Sequence, residues 1–203
     1  MRFLLLSVTL LAIAAPAAHA YPKLPNPLPP VAQNPADRLD AQPIEGFTYD
    51  GATHCKNQRN IGITKLANWL GANTRGVFWG SYRCERWGKH SASLHAENRA
   101  IDWHLDAFNK ADRRAAEKLI RLLLAPDRLG NPQALARRMG VEELIWDCGY
   151  WGIGMTEFKP YSVCYKPSGK KRKHFDRTSA HQDHIHIGMT KAGAKGRTSF
   201  WAH

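Results

Sequence analysis

Cysteine is scarce in this chain, with four among 203 residues and no two at Cys-x-x-Cys spacing. That argues against a thiolate-caged zinc of the finger or ribbon type. Long apolar runs are also lacking. The uncharged stretch from Phe3 to Ala14 is twelve residues, too short to cross a bilayer. No cysteine follows the small residues at positions 18–20, which argues against a lipid anchor there. Acidic residues are outnumbered, 17 against 29 Lys and Arg. No internal repeat is visible, and strands and helices do not alternate strictly, so neither a solenoid nor a regular βαβ sheet is expected.

What is present starts with an export pattern. Arg2, the apolar run and Ala18-His19-Ala20 form the three parts of a cleavable signal peptide over residues 1–20. The chain is therefore expected in a periplasm or outside the cell, with no transmembrane segment once the signal is removed. The mature chain of 183 residues carries a formal charge of +11, because only Arg2 is lost from the total of +12. Seven of the 25 residues from Tyr21 to Glu45 are proline, a composition that favours extended backbone. Residues 21–43 are expected to be an arm or linker, and residues 44–203 a single domain. An even number of cysteines in an exported chain argues for two disulfides. Of the three possible pairings we take neighbours, Cys55 with Cys84 and Cys148 with Cys164.

Within the domain, Ile63, Leu66, Ala67 and Leu70 recur at helical spacing and Gly71 follows, so a helix is expected over 61–70. Residues 76–84 have the aromatic and β-branched content of a strand. Residues 99–106 alternate, putting Ala100, Asp102, His104 and Asp106 on one side and Ile101, Trp103 and Leu105 on the other. The stripe of Ala116, Leu119, Ile120 and Leu123 predicts a helix over 112–124, and Pro132 and Gly140 bracket a second. Strands are expected at 141–146 and 184–189. The fold class is α+β, a mainly antiparallel sheet with helices packed on one face and the chemistry in a groove on the sheet.

Two stretches carry that chemistry. In Ser93-Leu94-His95-Ala96-Glu97-Asn98-Arg99-Ala100-Ile101-Asp102, His95 and Asp102 would be about 10 Å apart along a helix axis. They converge only if the chain turns through Glu97 and Asn98 into the following strand. In His181-Gln182-Asp183-His184-Ile185-His186, His184 and His186 share one face of a strand, opposite Ile185 and Ile187. Together the two stretches resemble the signature of the zinc D-alanyl-D-alanine metallopeptidases and murein endopeptidases, Ser-x-His-x-x-Gly-x-Ala-x-Asp followed downstream by His-x-His. The hedgehog signalling domain and lysostaphin belong to the same structural grouping. Ser93, His95, Ala100 and Asp102 match the first motif. His181, His184 and His186 are similar to a His-x-x-His-x-His variant of the second, and Tyr82-Arg83 resembles a strand that precedes both. Asn98 stands where that family has glycine, and asparagine is the best non-glycine residue for positive φ.

The resemblance implies a Zn²⁺ held by His95, Asp102 and His186, with a fourth position left for water. It implies a general base from His184 or Asp183, a supporting or hydrogen-bond-donating role for His181, and substrate or oxyanion binding by Arg83. His104 and Asp106, on the face of Asp102, would orient ligands or line the groove rim. The implied activity is hydrolysis of peptide bonds in peptidoglycan, of the carboxypeptidase or endopeptidase kind, acting on stem peptides or cross-links. Lys170, Lys171, Arg172 and Lys173 would hold anionic wall polymers. Two rivals are a zinc-containing wall-binding module without catalysis and a secreted metal-dependent nuclease. The second is disfavoured, because nothing beyond basic charge and histidine points to nucleic acid.

Overall fold

The computed structural model describes residues 21–202, so the signal peptide expected over residues 1–20 lies outside the described residues. In chain order the elements are α1 (Ile61–Asn73), β1 (Val77–Gly80), β2 (Arg86–Gly88), β3 (Ser91–Ala92), β4 (Ala100–His104), α2 (Lys110–Leu124) and α3 (Ala134–Met139). They continue with β5 (Val141–Trp146), β6 (Gly149–Gly152), β7 (Lys159–Pro160), β8 (His184–Met189) and α4 (Lys191–Ala194). Two 3₁₀ turns, Pro35–Leu39 and Leu94–Glu97, complete the set. Six strands form one sheet in the order β1-β4-β8-β5-β6-β7, every pairing antiparallel. The fold is α+β, as the sequence predicts. Among the described residues no helix is long and apolar enough to cross a membrane.

The strand alternation divides the sheet into two faces. Ile101, Trp103, Ile185, Ile187, Leu144 and Trp146 turn to one side and pack against Leu66, Leu70, Leu119, Ile120, Leu123 and Leu135 of the helices. Burying such side chains contributes about 1.5–3 kcal/mol each and drives the assembly. The other side carries Asp102, His104, His184 and His186, paired across strands as Asp102 with His186 and His104 with His184. A slip of one residue in this register would exchange the two faces, so the core itself fixes which side the polar residues occupy.

Several boundaries differ from expectation for local reasons. Helix α1 runs past Gly71 to Asn73, and Asn73 Nδ2 donates to the Trp69 carbonyl at 2.8 Å. Strand β1 stops at Gly80 because Ser81 turns its carbonyl to His95 and Cys84 is tied to Cys55. Strand β4 ends at His104; Asp106 lies in the following turn, paired with Arg177 and accepting from the Phe108 N–H. Both disulfides pair as expected, Cys55–Cys84 and Cys148–Cys164. The segment 21–43 does not stand apart as a tether. Pro22, Asn34 and Ala36 are buried, Leu24 and Leu28 pack on the core, and Asn34 Nδ2 donates to the Pro126 carbonyl at 3.2 Å. Proline stiffness gives this segment an extended shape, and its interspersed Tyr, Leu and Ala give it something to bury.

Candidate metal centre

His95 sits in the 3₁₀ turn Leu94–Glu97, begun by the Ser93 side chain accepting from the His95 N–H. The turn ends at Asn98 in the left-handed region, φ 53° and ψ 43°. That reversal feeds the chain into β4 and brings Asp102 back under His95, the convergence the sequence requires. Asn98 also donates from Nδ2 to the Gln58 carbonyl at 2.8 Å, and Asn60 Nδ2 donates to the carbonyls of Glu97 and Asn98. The neighbouring N-terminal loop therefore clamps the turn. His186 arrives from β8, beside Asp102 in the ladder.

The donor atoms converge closely. His95 Nε2 lies 3.0 Å from Asp102 Oδ1 and 3.0 Å from His186 Nδ1, and the last two atoms are 3.4 Å apart. All three residues are buried, and the group could hold a metal ion. Zinc bonds of about 2.0–2.2 Å at tetrahedral angles put ligand atoms about 3.3–3.6 Å apart, close to the spacing seen. The chemistry of the donors fits too. His95 Nδ1 is 2.9 Å from the Ser81 carbonyl, which can only accept, so the proton sits on Nδ1 and Nε2 carries a lone pair. That lone pair faces an anionic oxygen and a second nitrogen. One proton between them relieves one contact; a divalent cation relieves all of them.

Burial pushes the His186 imidazolium down, but Asp102 and Glu143 outweigh it and raise the group to about 9. Burial favours the acid form of Asp102, yet the hydrogen bond and the charge of the His186 imidazolium hold its carboxyl well below the usual range. His95 is shifted down, chiefly by burial. His181 is driven well below its ordinary value by burial and by the nearby His186 and His184, so it is neutral.

The other residues expected at the site fall into place at different distances. His184 Nδ1 donates to Asp183 Oδ1 at 2.7 Å, leaving Nε2 3.5 Å from Asp102 Oδ1. Asp183 is in turn held by the Thr178 hydroxyl. Asp183 therefore sits behind His184, not beside the donor cluster. His181 stacks obliquely on His184 at 4.7 Å and meets Tyr161 edge-on. Its Nδ1 is 3.2 Å from the Ser179 carbonyl, so its Nε2 is an acceptor. Arg83 Nη1 reaches Asp102 Oδ2 at 3.2 Å, with about half of its side chain exposed. His104 stacks under Trp79 and donates to the Asp183 carbonyl at 2.7 Å, so it props the edge of the site. Asp106 is away from it, paired with Arg177.

A groove of about 770 Å³ lies beside the cluster, with Arg83, Tyr161, His181, His184 and, of the three donor residues, His186 among its walls. Cys148–Cys164 ties down the strand end and loop that carry Tyr161 and Val163. Sequence reasoning missed Glu143, whose Oε1 lies 3.1 Å from His186 Nε2 and whose Oε2 accepts from the Tyr49 hydroxyl at 2.9 Å. The contact to His186 is an ion pair bent too far for a formed hydrogen bond, which leaves His186 Nε2 buried with no other partner. The signal was there: Glu142-Glu143 is an acidic pair inside an otherwise apolar strand. Comparison with family models, curated proteins and solved structures returns no match. The likeness to the zinc peptidases therefore stands on this chain's own residues.

Proposed function

We propose that the chain is an exported zinc hydrolase that cleaves peptide bonds in peptidoglycan stems or cross-links. The observation that carries the reading is the convergence of His95 Nε2, Asp102 Oδ1 and His186 Nδ1 at 3.0–3.4 Å, with His186 also lining an open groove. Three protein donors leave room for water, the arrangement of a catalytic and not a structural zinc. Zinc held there supplies Lewis acidity, lowering the pKa of water towards 7 and polarising a carbonyl.

The protein's own groups do the rest. His184 accepts a proton at Nε2, because its Nδ1–H is committed to Asp183. Asp183 fixes the tautomer and stabilises the imidazolium that results. His181 is neutral and offers a lone pair, so it serves as hydrogen-bond donor at that nitrogen only after taking up a proton. Arg83 stands at the groove wall, where it neutralises Asp102 and faces substrate carboxylates or a developing oxyanion. The basic loop Lys166–His174, with Lys170, Lys171, Arg172 and Lys173 around a hollow of about 300 Å³, supplies attraction for anionic wall polymers.

The test is mass spectrometry of muropeptides released from purified sacculi by the mature protein, with and without chelator, beside measured zinc content. Release that stops with chelator and returns with zinc supports the reading. Zinc content near one with no release at any pH would favour the binding module, and chelator-sensitive cutting of plasmid DNA the nuclease.

A further inference from the structure

We infer that Glu143 is the residue that turns His186 so that Nδ1, and not a ring carbon, meets the metal, and that Tyr49 fastens Glu143 in that pose. The inference rests on the metal reading of the site but not on which bond is cut.

An imidazole that binds a cation through Nδ1 must carry its proton on Nε2, and a buried N–H needs an acceptor. His186 is buried, with 3% of its surface exposed. Glu143 is the group near its Nε2, with Oε1 at 3.1 Å. The backbone explains why it can reach. Glu143 of β5 is registered against Gly188 of β8, two residues beyond His186 on the same face. A Cβ on Gly188 would lie 3.1 Å from Glu143 Cβ and 3.5 Å from His186 Nε2. Leu94 Cδ1 would be closer still, at 2.3 Å, so the absence of a side chain at position 188 lets Leu94, Glu143 and the His186 ring pack together there. The far oxygen, Oε2, is occupied by the hydroxyl of Tyr49, which comes from the loop before α1. The two ligand histidines are accordingly held differently. His95 is oriented by a neutral carbonyl, that of Ser81, and His186 by a carboxylate.

Charge gives an independent reason for the difference. Two neutral imidazoles and Asp102 offer one negative charge to a buried site. A dication there needs a second, and among the described groups touching the donor residues Glu143 supplies it, through His186, while Arg83 contacts Asp102. The carboxylate also makes Nδ1 a stronger donor by drawing on the Nε2 proton.

The experiment measures metal affinity, not turnover. Zinc binding to the full mature protein is followed by competition with a chromogenic chelator, and the visible absorption of the Co²⁺-substituted protein reports the donor geometry. Glu143→Ala is expected to weaken zinc about 10–100-fold, the usual effect of removing such a partner, and to shift the Co²⁺ bands. Glu143→Gln, which keeps an acceptor oxygen, is expected to recover most of the affinity and the wild-type bands. Tyr49→Phe leaves the carboxylate in place and is expected to cost a few-fold; it carries the test if Glu143→Ala does not fold. Wild-type affinity and an unchanged Co²⁺ spectrum in Glu143→Ala, or in Tyr49→Phe where it stands in, would overturn the inference while the metal centre stands. Wild-type protein that takes up no zinc would remove the metal centre and the inference together. Tight zinc with no muropeptide release would sink the hydrolase reading alone.

Discussion

His184 and Asp183 show how one bond sorts two candidates. On sequence spacing either could be the base, but the 2.7 Å contact commits His184 Nδ1 to Asp183 and leaves Nε2 facing the cluster. His184→Ala should therefore keep zinc stoichiometry and lower turnover about 10²–10⁴-fold, the usual range for a general base. Asp183→Asn should lower it less, with zinc again retained; a variant pair in which Asp183→Asn is the more damaging would reverse the assignment. A second residue-scale prediction concerns the ion network behind the site. Arg99, fully buried, donates to Glu97, to Glu142 at 2.9 Å and to the Met189 carbonyl. Burial raises Glu142 from 4.5 to about 7 despite hydrogen bonds from the Asp50 N–H and Arg99. A carboxyl whose pKa is raised by folding keeps its proton in the native state after the unfolded chain has lost it, so its contribution to stability falls as pH rises from 4.5 to 7. The fall is worth up to about 3 kcal/mol at 1.36 kcal/mol per pH unit. Glu142→Gln should flatten it. Chelator-treated wild type and variant, melted at a series of pH values, give the difference, in which the histidines' own titrations cancel. Parallel curves for the two proteins would show that Glu142 is ionised throughout.

At the scale of elements, the site depends on a turn and a ladder. The ladder was legible, because alternation in 99–106 and 184–189 assigns Asp102 and His186 to one face and Ile101, Ile185 and Ile187 to the other. The turn was half legible. Asn98 was read as the best non-glycine residue should that position need positive φ, and its φ is 53°. What the sequence did not reveal is how Asn98 is held, since Gln58 and Asn60 lie some 40 residues upstream. The same limit hid Glu143, on a neighbouring strand of the sheet but far from both motifs in the chain. Strand pattern gives a residue's face, and only tertiary pairing gives its neighbour. Asn98→Ala should cost about 1–2 kcal/mol for left-handed backbone and about 1 kcal/mol for the lost bond to Gln58. Zinc affinity should fall with it, because the turn aims His95. Asn98→Gly should lose the bond but not the conformation, and keep zinc affinity near wild type. Chelator competition and thermal melting of both variants check this; equal loss in both would mean the side-chain bond, and not the backbone shape, sets the turn.

At the scale of the whole molecule, the proline-rich start is where composition misled. Seven prolines rule out a long α-helix or a central strand, but they do not stop a chain from lying on a surface already formed, extended but for the turn Pro35–Leu39. Gly149 shows the fit: a Cβ there would lie 2.8 Å from Tyr21 Cβ and 2.9 Å from Pro22 Cδ. Farther along, Ala36 is fully buried and Arg138 Nη2 donates to the Gln42 carbonyl at 3.3 Å. The segment runs over the helical side and the far edge of the sheet, and none of its residues lines the groove. Stability and metal binding should therefore separate. A chain beginning at Ile44 loses the burial of Pro22, Leu24, Leu28 and Ala36, worth about 3 kcal/mol or more after allowance for the entropy of ordering them. For a domain of this size that is a drop of roughly 10 °C in melting temperature, while zinc affinity at low temperature should match the full mature chain. An unchanged melting temperature would restore the tether. A loss of zinc affinity in proportion to the melting shift would show instead that the wrap holds the loop of Tyr49, and through Glu143 the pose of His186, from the opposite side of the molecule.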